Sequence, residues 1–210
     1  MADFQKLIEA LIEGDESTVT RLTHTALDEN VSAKDILRTG LMAGMDIVGE
    51  KMEAEEMFIP EVLRSAKVMS AGIEILRPYL VEGDVSATGK VVIGTVKGDL
   101  HDIGKNLVAM MLESAGFDVY NLGTDVSPES FAQGVKEKGA DILGLSALLT
   151  TTMPIMKATI DTLAEGGLRE HVKVIVGGAP VTQSFADQIG ADGYARDAGS
   201  AIKLAKTLMK

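Results

Sequence analysis

The sequence predicts an α/β chain in two parts, a four-helix bundle followed by a doubly wound, five-stranded parallel sheet of the Rossmann or flavodoxin type. Three observations carry that prediction. Apolar residues make up 46% of the 210 positions and charged residues 24%, enough to bury a core and too apolar for a disordered chain. Charge is unevenly shared: residues 1–88 carry 17 acidic and 8 basic residues, whereas residues 89–210 carry 14 and 12. The texture changes at the same place, from helical spacing to short β-branched runs separated by helices. The expected division is therefore a helical domain over 1–88 and an α/β domain over 89–210.

In the first half, Asp15 is placed to cap a helix running to about Glu29, and Ser32 to cap the next. Ile36, Leu37, Leu41, Met45 and Val48 then follow at helical spacing. Pro60 suits a first helical position, and Val62, Leu63, Ala66, Met69, Ile73, Leu76 and Leu80 trace one face for about five turns. The stretch Glu82–Gly89 is turn-rich and reads as a hinge. Beyond it, Lys90–Val96, Phe117–Asn121, Ile142–Leu145 and Val172–Val176 read as strands, with a weaker fifth near Gly193–Ala195. Helices are expected over Gly104–Ala115, Pro128–Lys138, Pro154–Ala164 and Val181–Ile189, and from about Ala198. Near-continuous apolar strands alternating with helices mean a parallel sheet covered on both faces. Such a sheet binds ligands beyond the carboxyl ends of its strands.

Composition removes whole classes of function. With no cysteine there is no disulfide framework, thiolate zinc site, cysteine-ligated cluster or cysteine nucleophile. A net charge of −11 argues against nucleic acid, which needs clustered Lys and Arg. No apolar run approaches the roughly 18 residues of a membrane span, and the N-terminus lacks a signal-peptide pattern. A cytoplasmic protein is expected. The absence of Trp also disfavours stacking platforms for bases or sugars.

The loop after the first strand carries the chemistry. It reads Lys97-Gly98-Asp99-Leu100-His101-Asp102-Ile103-Gly104. Only Gly98 and Gly104 match any phosphate-binding spacing, and two carboxylates there repel phosphate, so a nicotinamide dehydrogenase is disfavoured. Asp99 and His101 are two apart, so the carboxylate can accept the Nδ1 proton and leave Nε2 with a free lone pair. That arrangement suits a metal-ligating histidine. Neither His24 nor His171 is placed to assist, and one imidazole cannot hold a bare zinc or iron. A lone histidine ligand makes sense for a metal carried inside a macrocycle. The competing reading is a helix-entry histidine with Asp99 as a local cap. On the same sheet edge, the third strand runs into the hydroxyl-rich Ser146–Thr152 loop, and the fourth ends in Gly177-Gly178, where small residues permit close approach.

These three blocks together resemble the cobalamin-binding module of methionine synthase and of corrinoid methyltransferase proteins. Residues 95–107 with the Asp99-x-His101-x-x-Gly104 core, Gly144–Leu148 and Val176–Gly178 follow the family's order and spacing, and Gly40–Leu80 is similar to its helical cap. The resemblance implies a corrinoid bound base-off, with His101 replacing the benzimidazole as lower axial ligand to cobalt. It implies Asp99 as the histidine's partner and Thr152 in place of the family's usual relay serine. Cofactor contacts are implied for Gly98, Leu100, Asp102, Ile103 and Gly104, for Ser146, Leu148 and Thr150, and for Gly177, Gly178 and Ala198. The nucleotide tail would pass between the Ser146–Thr152 loop and the Gly177-Gly178 turn. Met52, Phe58 and Ile59 are the candidates to cover the methyl face, with ordinary bundle core as the other reading of the same residues.

The implied function is a methyl carrier with no catalytic residue of its own. A substrate:corrinoid methyltransferase would load methylcobalamin, and a second methyltransferase would pass the methyl to tetrahydrofolate or a thiol coenzyme. A reductive activation protein would rescue oxidised cobalt. Two alternatives from other classes are an adenosylcobalamin-dependent mutase subunit and a cobalamin-dependent sensor. The bundle and the absence of a large barrel count against the first. The lack of Trp and of a DNA-binding module counts against the second.

Overall fold

The computed structural model describes residues 3–80 and 88–210. The chain divides into two compact units at the stretch between them. Most of the hinge expected at Glu82–Gly89 lies outside the described residues.

The first unit is helical throughout. Asp3 caps α1 (Phe4–Glu13) by accepting from the Lys6 amide, and Gly14 ends it in the left-handed conformation. Asp15 caps α2 (Glu16–Asp28) through the Thr18 amide, as its position predicts. Ser32 caps α3 (Ala33–Asp35), which continues as a π-helical segment (Ile36–Met42) into α4 (Ala43–Glu53); the backbone stays right-handed through both joins. Gly40 permits α1 to approach this rod, because a Cβ there would lie 2.5 Å from Leu7 Cδ2. Helix α5 (Ile59–Leu76) starts one residue before Pro60, with the Glu61 carboxylate accepting from the Phe58 amide. Leu7, Leu11, Val19, Ile36, Leu41, Met45, Val62, Met69 and Leu76 are buried. The predicted α5 face is corrected at two positions: Leu63 is exposed, and Leu80 lies beyond the helix after a 3-10 turn (Arg77–Tyr79). Ser65, Val68 and Gly72 complete the buried stripe instead, with the Ser65 hydroxyl donating to the Ile12 carbonyl and Gly72 lying against Leu41.

The second unit is the doubly wound sheet. Its strands are β1 (Lys90–Thr95), β2 (Asp118–Asn121), β3 (Ile142–Ser146), β4 (Lys173–Gly177) and β5 (Gly193–Ala195). All are parallel, in the order β2-β1-β3-β4-β5. That is the flavodoxin-like order, and its topological switch point lies between β1 and β3. Both strands are almost wholly buried, as continuous apolar runs require. Helices α6 (Ile103–Ser114), α7 (Pro128–Lys138), α8 (Pro154–Glu165), α9 (Gln183–Ile189) and α10 (Ala198–Leu208) connect or follow the strands. Register places Thr95 beside Ser146 and Ser146 beside Gly177, so the loops leaving β1, β3 and β4 emerge together. No helix among the described residues is long and apolar enough to cross a membrane.

Candidate functional site

Asp99 is the centre of the carboxyl edge. It is 0% exposed and its two oxygens accept five hydrogen bonds. Oδ1 takes the His101 ring Nδ1–H at 2.7 Å and the His101 amide at 3.1 Å. Oδ2 takes the Leu148 and Leu149 amides at 2.8 and 3.2 Å and the Thr152 hydroxyl at 2.9 Å. Burial alone would raise the Asp99 pKa. The donors of His101, Leu148 and Thr152 outweigh it and hold the carboxyl well below the usual range, so it is ionised at neutral pH. Thr95, also fully buried, donates its hydroxyl to the His101 carbonyl at 2.9 Å.

The imidazole itself is 52% exposed. In the neutral ring, donation of Nδ1–H to the carboxylate fixes the tautomer and leaves the lone pair on Nε2. Nε2 has no hydrogen-bond partner among the described residues. Around it, Leu100 (73%), Ile103 (79%), Leu148 and Leu149 expose apolar side chains. Such a cluster on a soluble surface marks a binding surface.

The structure thus brings Asp99, His101 and Thr152 together, with Gly98, Leu100 and Asp102 in the same loop and Ile103 and Gly104 opening α6. Leu148 contributes twice, by its amide to Asp99 and by its exposed side chain. Ser146 joins through its backbone, accepting the Val96 amide, and Thr150 stays exposed outside the Asp99 network. At Gly177 and Gly178 the chain's own backbone also comes close. A Cβ on Gly178 (φ +126°) would lie 1.9 Å from the Ala147 carbonyl oxygen, and one on Gly177 2.9 Å from that of Ala195. Ala198 is buried at the start of α10, behind the Asp197 cap. In the first unit Met52 is half-buried while Phe58 (66%) and Ile59 are exposed, so bundle core does not describe the latter two.

Four contributions escape the sequence reading: Thr95, the Leu149 amide, Asp125 and the Lys105–Asn121 pair. Asp125 left one signal, an acidic residue at the carboxyl end of β2. The Leu149 amide left none, since any residue supplies one.

Comparison with known proteins gives this geometry its context. Residues 89–203 and residues 3–77 each match a family model described as a B12 binding domain. The chain belongs to the B12-binding family of corrinoid proteins. It is 44% identical to a corrinoid protein of Desulfitobacterium hafniense (strain Y51), over 100% of this chain and 98% of that one. It is 46% identical to dimethylamine corrinoid protein 1 of Methanosarcina acetivorans, over 98% and 96%. The crystal structure of a cobalamin-binding protein from D. hafniense DCB-2 superposes with a TM-score of 0.86 at 32% identity, covering 99% of both chains. A methanol:cobalamin methyltransferase complex from Methanosarcina barkeri contains a chain that superposes at 0.84, also 32% identical, covering 97% of this chain and 78% of that one.

Cobalamin or a related corrinoid is accordingly the cofactor of this corrinoid protein, and the residues at the edge suit one. Among the described residues no cluster of three or more His, Asp or Glu can hold a bare ion. A single presented imidazole nitrogen within an apolar surround offers instead one axial bond and a face for a macrocycle.

Proposed function

We propose that this corrinoid protein is the methyl carrier of a multi-protein methyltransferase system, non-catalytic by itself. In this reading it holds its corrinoid base-off, with His101 Nε2 as the lower axial ligand. The observation that carries it is the 2.7 Å bond from His101 Nδ1 to a fully buried carboxylate, with Nε2 presented beside exposed Leu100, Ile103, Leu148 and Leu149. The relatives' names support a small methylated donor, a methylamine or methanol, loaded by a substrate-specific methyltransferase. A second methyltransferase acting on tetrahydrofolate or a thiol coenzyme takes the methyl onward, and a reductive activator restores oxidised cofactor.

When bound, the corrinoid supplies a cobalt centre that accepts and releases the methyl group. The chain's residues manage the ligand beneath it. Asp99 orients the imidazole by accepting from Nδ1, which leaves Nε2 of the neutral ring directed outward as the ligating atom. His101 would hold the cofactor through Nε2, and the Asp99 carboxylate would keep the ring in place by accepting from Nδ1. Thr152 donates to Oδ2, so Asp99 is held as an acceptor facing the ring. Met52, Phe58 and Ile59 are the proposed cover for the methyl-bearing face. The nucleotide tail is assigned to the side of the sheet bounded by Ser146, Gly177 and Gly178.

Anaerobic reconstitution with cobalamin tests the assignment. The cob(II)alamin form is expected to show nitrogen hyperfine splitting by electron paramagnetic resonance with the benzimidazole displaced, and His101→Ala to abolish that splitting. Splitting that survives in the variant overturns the axial-ligand assignment.

A further inference from the structure

Residues Lys97–Asn106 run from the end of β1 through the loop into the first turn of α6, with His101 midway, and both ends of this stretch are tied to one short segment, Asn121–Asp125. At the leading end, Asp125 Oδ1 accepts the Gly98 amide at 2.7 Å and the Asp125 amide donates to the Asp99 carbonyl at 3.1 Å. Asp125 holds a left-handed backbone (φ 55°), which Asp and Asn tolerate better than other side chains. At the trailing end, Asn121 Oδ1 accepts from the Lys105 ammonium at 2.7 Å, and Asn121 Nδ2 donates to Asn106 Oδ1 at 3.0 Å. Asn106 in turn donates to the Asp102 carboxylate at 3.0 Å. Lys105 is 3% exposed, which is unusual for an ammonium and makes its amide partners matter.

The segment is a firm support. The Thr95 amide donates to the Gly123 carbonyl, the Leu122 amide to Ile93 and the Val126 amide to Thr95, so it is stitched to the backbone of the central strand. Between the two tie points the side chains of Leu100, His101 and Ile103 are exposed, as is Gly104. Apolar packing therefore does little to set the pose of Leu100 to Gly104; hydrogen bonds supply most of it.

We infer that Asn121 and Asp125 form a two-point clasp that positions His101, acting through the backbone of Gly98–Asp99 and through Lys105–Asn106. The clasp rests on the reading of His101 as axial ligand, and it assigns positioning residues which that reading does not contain. A ligand nitrogen must be held to within about 0.5 Å of its productive place, and outer-shell partners of metal ligands typically change affinity or activity 10–100-fold.

The full chain carries the test, first without cofactor and then with cob(II)alamin. In the cofactor-free protein Asp125→Ala is expected to speed exchange of the Gly98 amide at least about tenfold. Asp125→Asn, which keeps an acceptor and tolerates the left-handed backbone, restores it. Asp125→Gly, which keeps only the backbone freedom, does not. With cofactor, Asp125→Ala and Asn121→Ala each weaken cobalamin binding about tenfold and lower the nitrogen-ligated fraction, and Asp125→Asn stays near wild type. Unchanged Gly98 exchange in Asp125→Ala overturns the clasp. Faster exchange with unchanged ligation and affinity reduces it to a structural tie and overturns its positioning role. A wild type lacking nitrogen ligation sinks the axial-ligand reading instead, while the exchange measurement still decides whether the segment holds the loop.

Discussion

Two exposed stretches of this corrinoid protein carry apolar side chains, and they are built on opposite principles. The β1–α6 loop hangs from a carboxylate with no solvent exposure and five hydrogen bonds, and its neighbours Gly98 and Asn106 are tied again to the segment behind β2. The α4–α5 corner, with Phe58 and Ile59 outward, is held by bonds between near neighbours in the chain, such as Glu61 on the Phe58 amide and Lys51 on Glu56. The first stretch fixes the place of one atom, His101 Nε2. The second offers area. An axial bond needs direction, which hydrogen bonds give, whereas covering a methyl group needs only a dry surface, which side-chain size gives.

Substitutions break that contrast in a definite order. Gly178→Ala strikes hardest, because its Cβ meets the Ala147 backbone rather than a movable side chain and the residue sits at φ +126°. A loss of about 3–5 kcal/mol is expected from urea denaturation midpoints, with the β3–α8 loop displaced. Asp99→Ala comes next at about 3 kcal/mol, since buried donors of Leu148, Leu149 and Thr152 lose their acceptor together. A stability equal to wild type would show that the carboxylate is not the anchor described here.

Acid sharpens the same point. The folded-state pKa of Asp99 lies below its unfolded value, near 3.9, so its stabilisation is complete above about pH 4 and is lost as pH falls further toward the folded value. Below pH 4, wild type should therefore lose stability more steeply than Asp99→Asn in parallel urea titrations. Thr152→Val keeps the shape but removes the hydroxyl, at an expected cost of about 1–2 kcal/mol, while Thr152→Ser stays close to wild type. Phe58→Ala is the smallest effect, within about 0.5 kcal/mol in the cofactor-free protein because the ring is largely exposed. Its consequence should appear only with methylcobalamin bound, as faster photolysis or oxidation followed by absorbance. A large stability loss in Phe58→Ala would return that ring to the bundle core and remove the contrast.

What the sequence determined by itself is whatever depends on neighbours along the chain. Asp15 and Ser32 cap the helices they were expected to cap, because a cap is decided within four residues. The five strands stand where β-branched runs announced them, with no end shifted by more than one residue. Asp99 meets His101 because a spacing of two in a turning loop permits little else. Thr152 was reached through resemblance, since nothing local joins it to a residue 53 positions earlier. Tertiary structure alone decided that the Leu148 and Leu149 amides converge on Asp99, that Asp125 holds Gly98, that Gly178 passes against Ala147 and that Leu63 faces out. The physical reason is register. Parallel strands bring loops some 50 residues apart to one edge, and the pairing that aligns them is set by burial across the whole sheet, which no local spacing encodes.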